Sequence, residues 1–312
     1  MKNDNQNSLF MDLLLAMRPS QWTKNAVVLA AFFFAYWDGS RAVPLSLHDL
    51  VYVLPAVFLF CMISSGVYLI NDIRDIEADR QHPHKRFRPL AAGRITIFQA
   101  SLLGIALLGG GLIASYFLSL SFMGVIIAYI VIQMIYTTWL KRLALLDVLV
   151  IASGFVLRAM AGAVVLKDVA ISPWLLLCTF LLALFLGLCK RRHEKLLLDD
   201  AAGSEHRASL GDYDERLLDL LIAIASSATI ISYAIYTLWP ETVQKFGTNK
   251  LGFTIPFVVF GVFRYLDLVY RHEKGGQPEK ILLTDIPLLA DLALYGLSIA
   301  AIFLLKRCAL VF

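Results

Sequence analysis

An all-α, polytopic membrane protein with about nine transmembrane helices is the fold this chain predicts, and three observations predict it. Hydrophobic residues fill 59% of its 312 positions and the mean hydropathy is +0.70, too apolar for an ordinary soluble domain of that length. Apolar runs long enough to cross a bilayer recur between short polar loops. The basic residues gather on alternate loops, the asymmetry that sets the orientation of membrane proteins.

In chain order, residues 8–17, SLFMDLLLAM, read as an amphipathic helix lying on the membrane ahead of the first crossing. No cleavable leader is expected, because the extreme N-terminus is polar and no small-residue cleavage site follows an apolar core. The crossings are read at 22–38, 50–70, 95–117, 120–139, 144–165, 172–189, 217–238, 252–270 and 286–305. The first is short, and Trp22 and Trp37 mark its ends as interfacial aromatics do.

With the N-terminus in the cytoplasm, one set of loops carries Arg74, Arg80, Lys85, Arg86, Arg88 and Arg94, then Lys141 and Arg142. The same side continues with Lys190, Arg191, Arg192, Lys195, Arg207 and Arg216, then Arg271, Lys274 and Lys280. The opposite loops hold only Arg41, Lys167, Lys245 and Lys250. Two long loops, about 71–94 and 190–216, therefore face the cytoplasm, while Lys306 and Arg307 fall outside against the rule. Residues 1–312 read as one transmembrane domain with no separable soluble part.

A nucleic-acid surface is excluded, because topology already accounts for the dispersed basic residues behind the net charge of +4. Cys61, Cys178, Cys189 and Cys308 lie in or beside apolar segments without metal-ligand spacing and read as packing residues. Gly109-Gly110-Gly111 with Gly104 suggests close helix approach inside the third crossing. No Lys-Ser/Thr follows it, so it is not a phosphate loop.

The stretch Asn71-Asp72-Ile73-Arg74-Asp75-Ile76-Glu77-Ala78-Asp79 carries the chemistry. If the second helix continues past Ile70, Asp72, Asp75 and Asp79 stand at i, i+3 and i+7 on one face. Carboxylates at a helix C-terminus oppose its dipole, and near lipid they need water, cations or protein around them. Such a cluster suits a hard divalent cation that still takes outside ligands, typically Mg²⁺ on a diphosphate. Asn71, Asp72, Asp75 and Asp79 are thus the expected metal ligands.

His82-Pro83-His84-Lys85-Arg86-Phe87-Arg88-Pro89-Leu90 follows, and its prolines break the helix. Arg80, Lys85, Arg86 and Arg88 are candidates to neutralise phosphate oxygens. Lys190, Arg191 and Glu194 open the second long loop and suggest a cationic wall opposite the metal wall. Lys24 and the intramembrane Arg158 are further phosphate candidates, with an Arg158–Asp147 pair as the structural alternative. Tyr136 and Lys141 close the fourth crossing beside these loops.

These residues resemble the UbiA superfamily of intramembrane prenyltransferases. NDIRDIEADRQHPHKRFRPLAAG is similar to that family's first aspartate motif and its basic R-P-L element, and the roughly nine-helix layout agrees over essentially the whole chain. The resemblance implies helices around a central cavity open to the cytoplasm and laterally to lipid. MRPSQWTKN at 17–25, VYLINDIRDIEADRQHPHKRFRPLAAG at 67–93, YTTWLKRLALLDVLVIASGFVLRAMAG at 136–162 and KRRHEK at 190–195 look like the branch that uses a sugar donor. That branch transfers 5-phosphoribose from phosphoribosyl diphosphate to a polyprenyl (decaprenyl-like) phosphate.

Where aromatic-acceptor members carry a second aspartate cluster, this chain has Lys190 to Glu194, with one acid. The alternatives are an aromatic prenyltransferase using a polyprenyl diphosphate, which needs that second cluster, and a non-enzymatic lipid transporter or scaffold, which leaves three aspartates without a task. The implied partners are Mg²⁺, phosphoribosyl diphosphate, a polyprenyl phosphate and the bilayer. Assembly as a homo-oligomer is left open.

Overall fold

Polar punctuation in the sequence sets where the helices start. In the computed structural model the described residues are 8–82, 84–200, 213–271, 275–276 and 278–309, with the backbone alone at 197–200, 279 and 307–309. They form helices and no strand. Helix α1 (Leu9–Ala16) begins at Ser8, whose hydroxyl accepts the Met11 N–H at 3.4 Å. A 3₁₀ helix (Pro19–Val27) runs straight into α2 (Val28–Tyr36).

Ser46 and Asp49 form a reciprocal cap ahead of α3 (Leu50–Arg74), which α4 (Ile76–Gln81) extends past a break at Asp75. Thr96 and Gln99 do the same for α5 (Ile97–Leu118). Ser119 alone, in extended conformation, turns the chain into α6 (Leu120–Thr138). Then come α7 (Leu146–Val164), α8 (Pro173–Asp200), α9 (Glu215–Leu238), α10 (Pro240–Phe246), α11 (Ile255–Arg271), α12 (Pro278–Thr284) and α13 (Ile286–Ala309).

Among the described residues eight helices are long and apolar enough to cross a membrane. The protein is a multi-pass membrane protein. The expected first crossing, 22–38, falls on the 3₁₀ helix and α2, nine residues each over 19–36, and is not one of those eight. At about 2.0 and 1.5 Å per residue it spans roughly 30 Å, the thickness of a bilayer core.

The crossings alternate, so the acidic stretch, the start of α5, the α6–α7 turn and the end of α8 share one end of the bundle. At the opposite end Lys306 donates to the Phe246 carbonyl at 2.7 Å. This caps the last turn of α10 before Gly247, whose φ of 58° suits a residue without a side chain. The charge that breaks the topology rule thus has a local task. The side chain of Arg307 lies outside the described residues.

Two apolar cores share α7. One gathers Phe60, Ile63, Phe122, Ile126 and Tyr129 with Ala161, the other Phe185, Leu188, Leu218, Tyr265 and Leu268 with Val148. Close approach fixes α3 against α5: a Cβ at Gly66 would meet Leu108 at 2.8 Å, and one at Gly111 would meet Ile63 at 2.6 Å. Of the glycine run, only Gly111, with Gly104, serves that seam; Gly109 and Gly110 face open space.

One sequence boundary needs correction. Lys190 to Glu194 are helical, because α8 continues to Asp200 and the segment KRRHEKLLLDD contains no breaker. Residues 201–212, with Arg207, lie outside the described residues, as do Pro83 and Lys274.

Candidate active site

The break between α3 and α4 shapes the acidic site. Asp75 leaves helical geometry (φ −98°, ψ 12°), yet its N–H still reaches Asn71 O at 3.0 Å and its carbonyl accepts the Asp79 N–H at 2.8 Å. The helix is bent there and not ended, so the three carboxylates do not all meet one cation. Asp72 and Asp79, both buried, converge on Arg88 Nη1 at 3.1 and 2.5 Å. Asp75 pairs instead with Lys141, from the 3₁₀ turn Leu140–Arg142 after α6.

Arg18 is the residue that sequence reasoning missed. Its side chain makes an ion pair with Asp72 and lies 4.9 Å over the Tyr68 ring. Its backbone is left-handed (φ 55°) immediately before Pro19, a strained choice for an arginine. The surrounding bonds enforce it: Ser65 Oγ donates to Met17 O at 2.8 Å, and Trp22 Nε1 donates to Ser65 Oγ at 3.0 Å. The Arg-Pro pair inside MRPSQW was the available signal.

The other candidate cations divide. Arg80 pairs with Glu77 on the exposed side of α4 at 2.9 Å. Lys85 and Arg86 are exposed, and Arg86 stacks on Phe87. Lys24 bonds to Gln21 within the 3₁₀ helix, and Tyr136 sits half-buried near the end of α6. His82 pins the loop: its Nδ1 accepts the N–H groups of His84 and Lys85 at 3.1 and 3.3 Å. Burial, then the charge of Lys85, lowers its pKa to about 4, with Asp79 pulling the other way.

Arg158 is buried inside the bundle and does not pair with Asp147. Nε donates to Asn25 Oδ1 at 2.8 Å, Nη1 to Gly154 O at 2.8 Å and Nη2 to the Tyr129 hydroxyl at 3.0 Å. The rings of Phe60, Tyr129 and Phe155 surround the guanidinium. Asn25, fully buried, also donates to Ser64 Oγ at 3.3 Å and Cys61 Sγ at 3.2 Å. Four segments therefore meet on one cation, and any Cβ at Gly162 of α7 would collide with the Val28 carbonyl.

The second wall is less cationic than its sequence suggests. Arg191, 2% exposed, pairs with Glu194 and lies 3.4 Å from the buried Asp147. The Arg191 Nε–Asp147 Oδ2 contact has ion-pair distance but not hydrogen-bond geometry. Tyr213 donates its hydroxyl to Asp147 Oδ1 and accepts the Leu145 N–H, both at 2.7 Å. Burial and that carboxylate hold the Tyr213 phenol protonated well above its ordinary range. Lys190 lies 4.0 Å from Glu194, and Arg192 reaches Asp219 at 2.7 Å.

A divalent cation fits the first wall by its donor chemistry. Two buried carboxylates already share one cationic nitrogen, and the buried Asn71 Oδ1 has no hydrogen-bond partner among the described residues. Hard oxygen donors of this kind hold Mg²⁺ while leaving positions for phosphate. No group of three acids, histidines or cysteines close enough to hold a metal occurs among the described residues, and Asp75 is engaged by Lys141.

Comparisons with known proteins agree with this fold. The UbiA prenyltransferase family profile matches residues 26–276. The decaprenyl-phosphate phosphoribosyltransferase of Mycolicibacterium smegmatis is 33% identical over 290 residues, covering 89% of this chain and 88% of that protein. The enzyme of the same name from Corynebacterium glutamicum is 34% identical over 279 residues, covering 88% and 81%. A solved UbiA homolog from Archaeoglobus fulgidus bound to GPP and Mg²⁺ superposes with a TM-score of 0.67 at 21% identity, over 94% of this chain and 99% of that one.

Proposed function

Since the chain belongs to the UbiA prenyltransferase family, we propose that it transfers 5-phosphoribose from phosphoribosyl diphosphate to a polyprenyl phosphate in a Mg²⁺-dependent reaction at the cytoplasmic face of the membrane. One observation carries the site assignment: Asp72 and Asp79 converge on Arg88, and the adjoining Asn71 has a buried Oδ1 with no hydrogen-bond partner among the described residues. The relatives named above support the choice of substrates.

Asn71, Asp72 and Asp79 would hold the metal, with Asp75 joining once Lys141 leaves it. When bound, Mg²⁺ supplies charge neutralisation for the departing diphosphate. Arg18, Arg88 and Lys141 already stand on these carboxylates, which makes them the nearest donors for diphosphate oxygens, with Arg80 and Lys85 on the segment beside them. The anomeric C–O bond breaks toward diphosphate through an oxocarbenium-like sugar, and an oxygen of the lipid phosphate forms the new bond.

That acceptor is already anionic near neutral pH, so no side chain has to remove a proton, and catalysis is positioning and electrostatics. Lys190 would take the sugar's 5-phosphate and Lys24 the lipid phosphate. Arg158, hydrogen-bonded through Nε, Nη1 and Nη2, and Arg191, ion-paired with Glu194 and Asp147, act by positioning the 3₁₀ helix and the α6–α7 turn.

The test supplies radiolabelled phosphoribosyl diphosphate to the purified protein with polyprenyl phosphate or with aromatic acids, with and without EDTA. Label should enter the lipid fraction only with polyprenyl phosphate and only without EDTA. Label-free lipid in every arm refutes the sugar donor, and consumption of polyprenyl diphosphate with an aromatic acid would put the aromatic reaction in its place.

A further inference from the structure

Not every cation of the 85–94 segment turns toward the acids. Arg88 does, but the Arg86 guanidinium lies 4.9 Å over the ring of Phe87, and that phenylalanine is 62% exposed. A large bare aromatic on a polar loop needs a surface to meet. Its backbone is tied to one: Arg94 donates Nη2 to Phe87 O at 3.0 Å and Nε to Asp12 Oδ1 at 2.8 Å.

Asp12 is the buried side of α1. The same helix leaves Leu9, Phe10, Met11 and Leu15 exposed, the pattern of a helix lying in the membrane interface. Leu90 and Ile95 share an apolar cluster with Leu13, Ala16 and Met17, so the loop packs against α1. The membrane-spanning α5 begins at Ile97, only three residues beyond Arg94, and exposes Phe98 in its first turn. Phe87 is therefore braced beside two elements that mark the level of the lipid headgroups.

We propose that Arg86 and Phe87 form an interfacial finger for anionic phospholipid, with Arg86 on the headgroup phosphate and the Phe87 ring at the acyl boundary. Charge complementarity selects the lipid. Basic residues beside an anionic leaflet attract it, and the apolar face of α1 continues the same lipid-facing surface. The cation–π contact keeps the Arg86 charge next to the ring, so headgroup and acyl contacts come from one rigid unit.

The proposal predicts a lipid preference independent of turnover. Phe87→Trp is compared with the wild type, whose five tryptophans supply the background, in nanodiscs containing either brominated phosphatidylglycerol or brominated phosphatidylcholine at equal bromine content. The added emission should be quenched by both and about fivefold more effectively by the anionic lipid, the Boltzmann factor for one basic residue near a charged surface. Arg86→Gln in the same background should equalise the two lipids.

Emission that neither lipid quenches would place the ring in water and overturn the proposal, as would equal quenching while Arg86 is present. Relief of the quench by a trace of polyprenyl phosphate amid excess phosphatidylglycerol would assign the finger to that lipid instead, also overturning it. As a second measurement free of the new tryptophan, the ratio of anionic to neutral lipid retained on purification should fall in Arg86→Gln alone; an unchanged ratio counts against the finger.

Discussion

Replacing Asp72 by Asn tests the acidic site most directly, because it keeps the shape of the side chain and removes its charge. Asp72 is 5% exposed at its side chain and touches both Arg18 and Arg88. A unit charge about 4 Å from a cation is worth roughly 4 kcal/mol at an effective dielectric near 20. If that interaction supports the departing diphosphate, its loss slows turnover by about a thousandfold, at 1.36 kcal/mol per decade. Folding should suffer far less. Arg88 keeps Asp79, Arg18 keeps the Tyr68 ring, and both arginines reach solvent, so about 1 kcal/mol is the scale for the lost pair. The assay follows label from phosphoribosyl diphosphate into lipid, with thermal unfolding in detergent run alongside. An Asp72→Asn protein that melts normally, still responds to EDTA and retains more than about a tenth of wild-type rate would refute the metal assignment.

Two further outcomes follow from neighbouring residues. Arg158→Gln removes two interhelical hydrogen bonds and one within its own helix; at about 0.6 kcal/mol for each interhelical bond within a membrane, stability should fall by roughly 1 kcal/mol. The acceptor KM should stay near wild type in protein that remains folded, and a selective rise in KM without loss of stability would show phosphate contact instead. His82 gives the pH dependence. Its folded pKa of about 4 lies below the ordinary 6.5, so the unfolded loop binds more protons in that window and stability falls as pH drops from 6.5 toward 4. Protection of the His84 and Lys85 amides against hydrogen exchange, corrected for intrinsic rate and measured in EDTA, should decline across that range and be pH-independent in His82→Gln.

How much of this the sequence discloses depends on the range of each interaction. Apolar length and loop charge disclosed the helices, because crossing a bilayer is a constraint on consecutive residues. The 3₁₀ character of the segment read as the first crossing stayed hidden, since nothing local tells a 3₁₀ helix held by Ser65 and Arg158 from an α-helix. Spacing disclosed that Asp72 and Asp79 belong together, but not the bend at Asp75 that hands the middle acid to Lys141, 66 residues away.

Counting charges also overstated the second wall. Arg191 reads as a free cation until Asp147, placed by α7, is found in the same buried space. Arg158 reads as a partner for that same Asp147, eleven positions earlier on its own helix, until the fold supplies Asn25 and Tyr129. In each case the pattern along a helix specifies which face a charge occupies. What satisfies the charge is decided by which other helix packs there. A membrane makes that decision consequential, because a buried ion without a counterpart is costly. The few buried polar atoms without a hydrogen-bond partner among the described residues, Asn71 Oδ1 among them, are therefore better guides to a ligand than the more numerous charges that already have a counterpart.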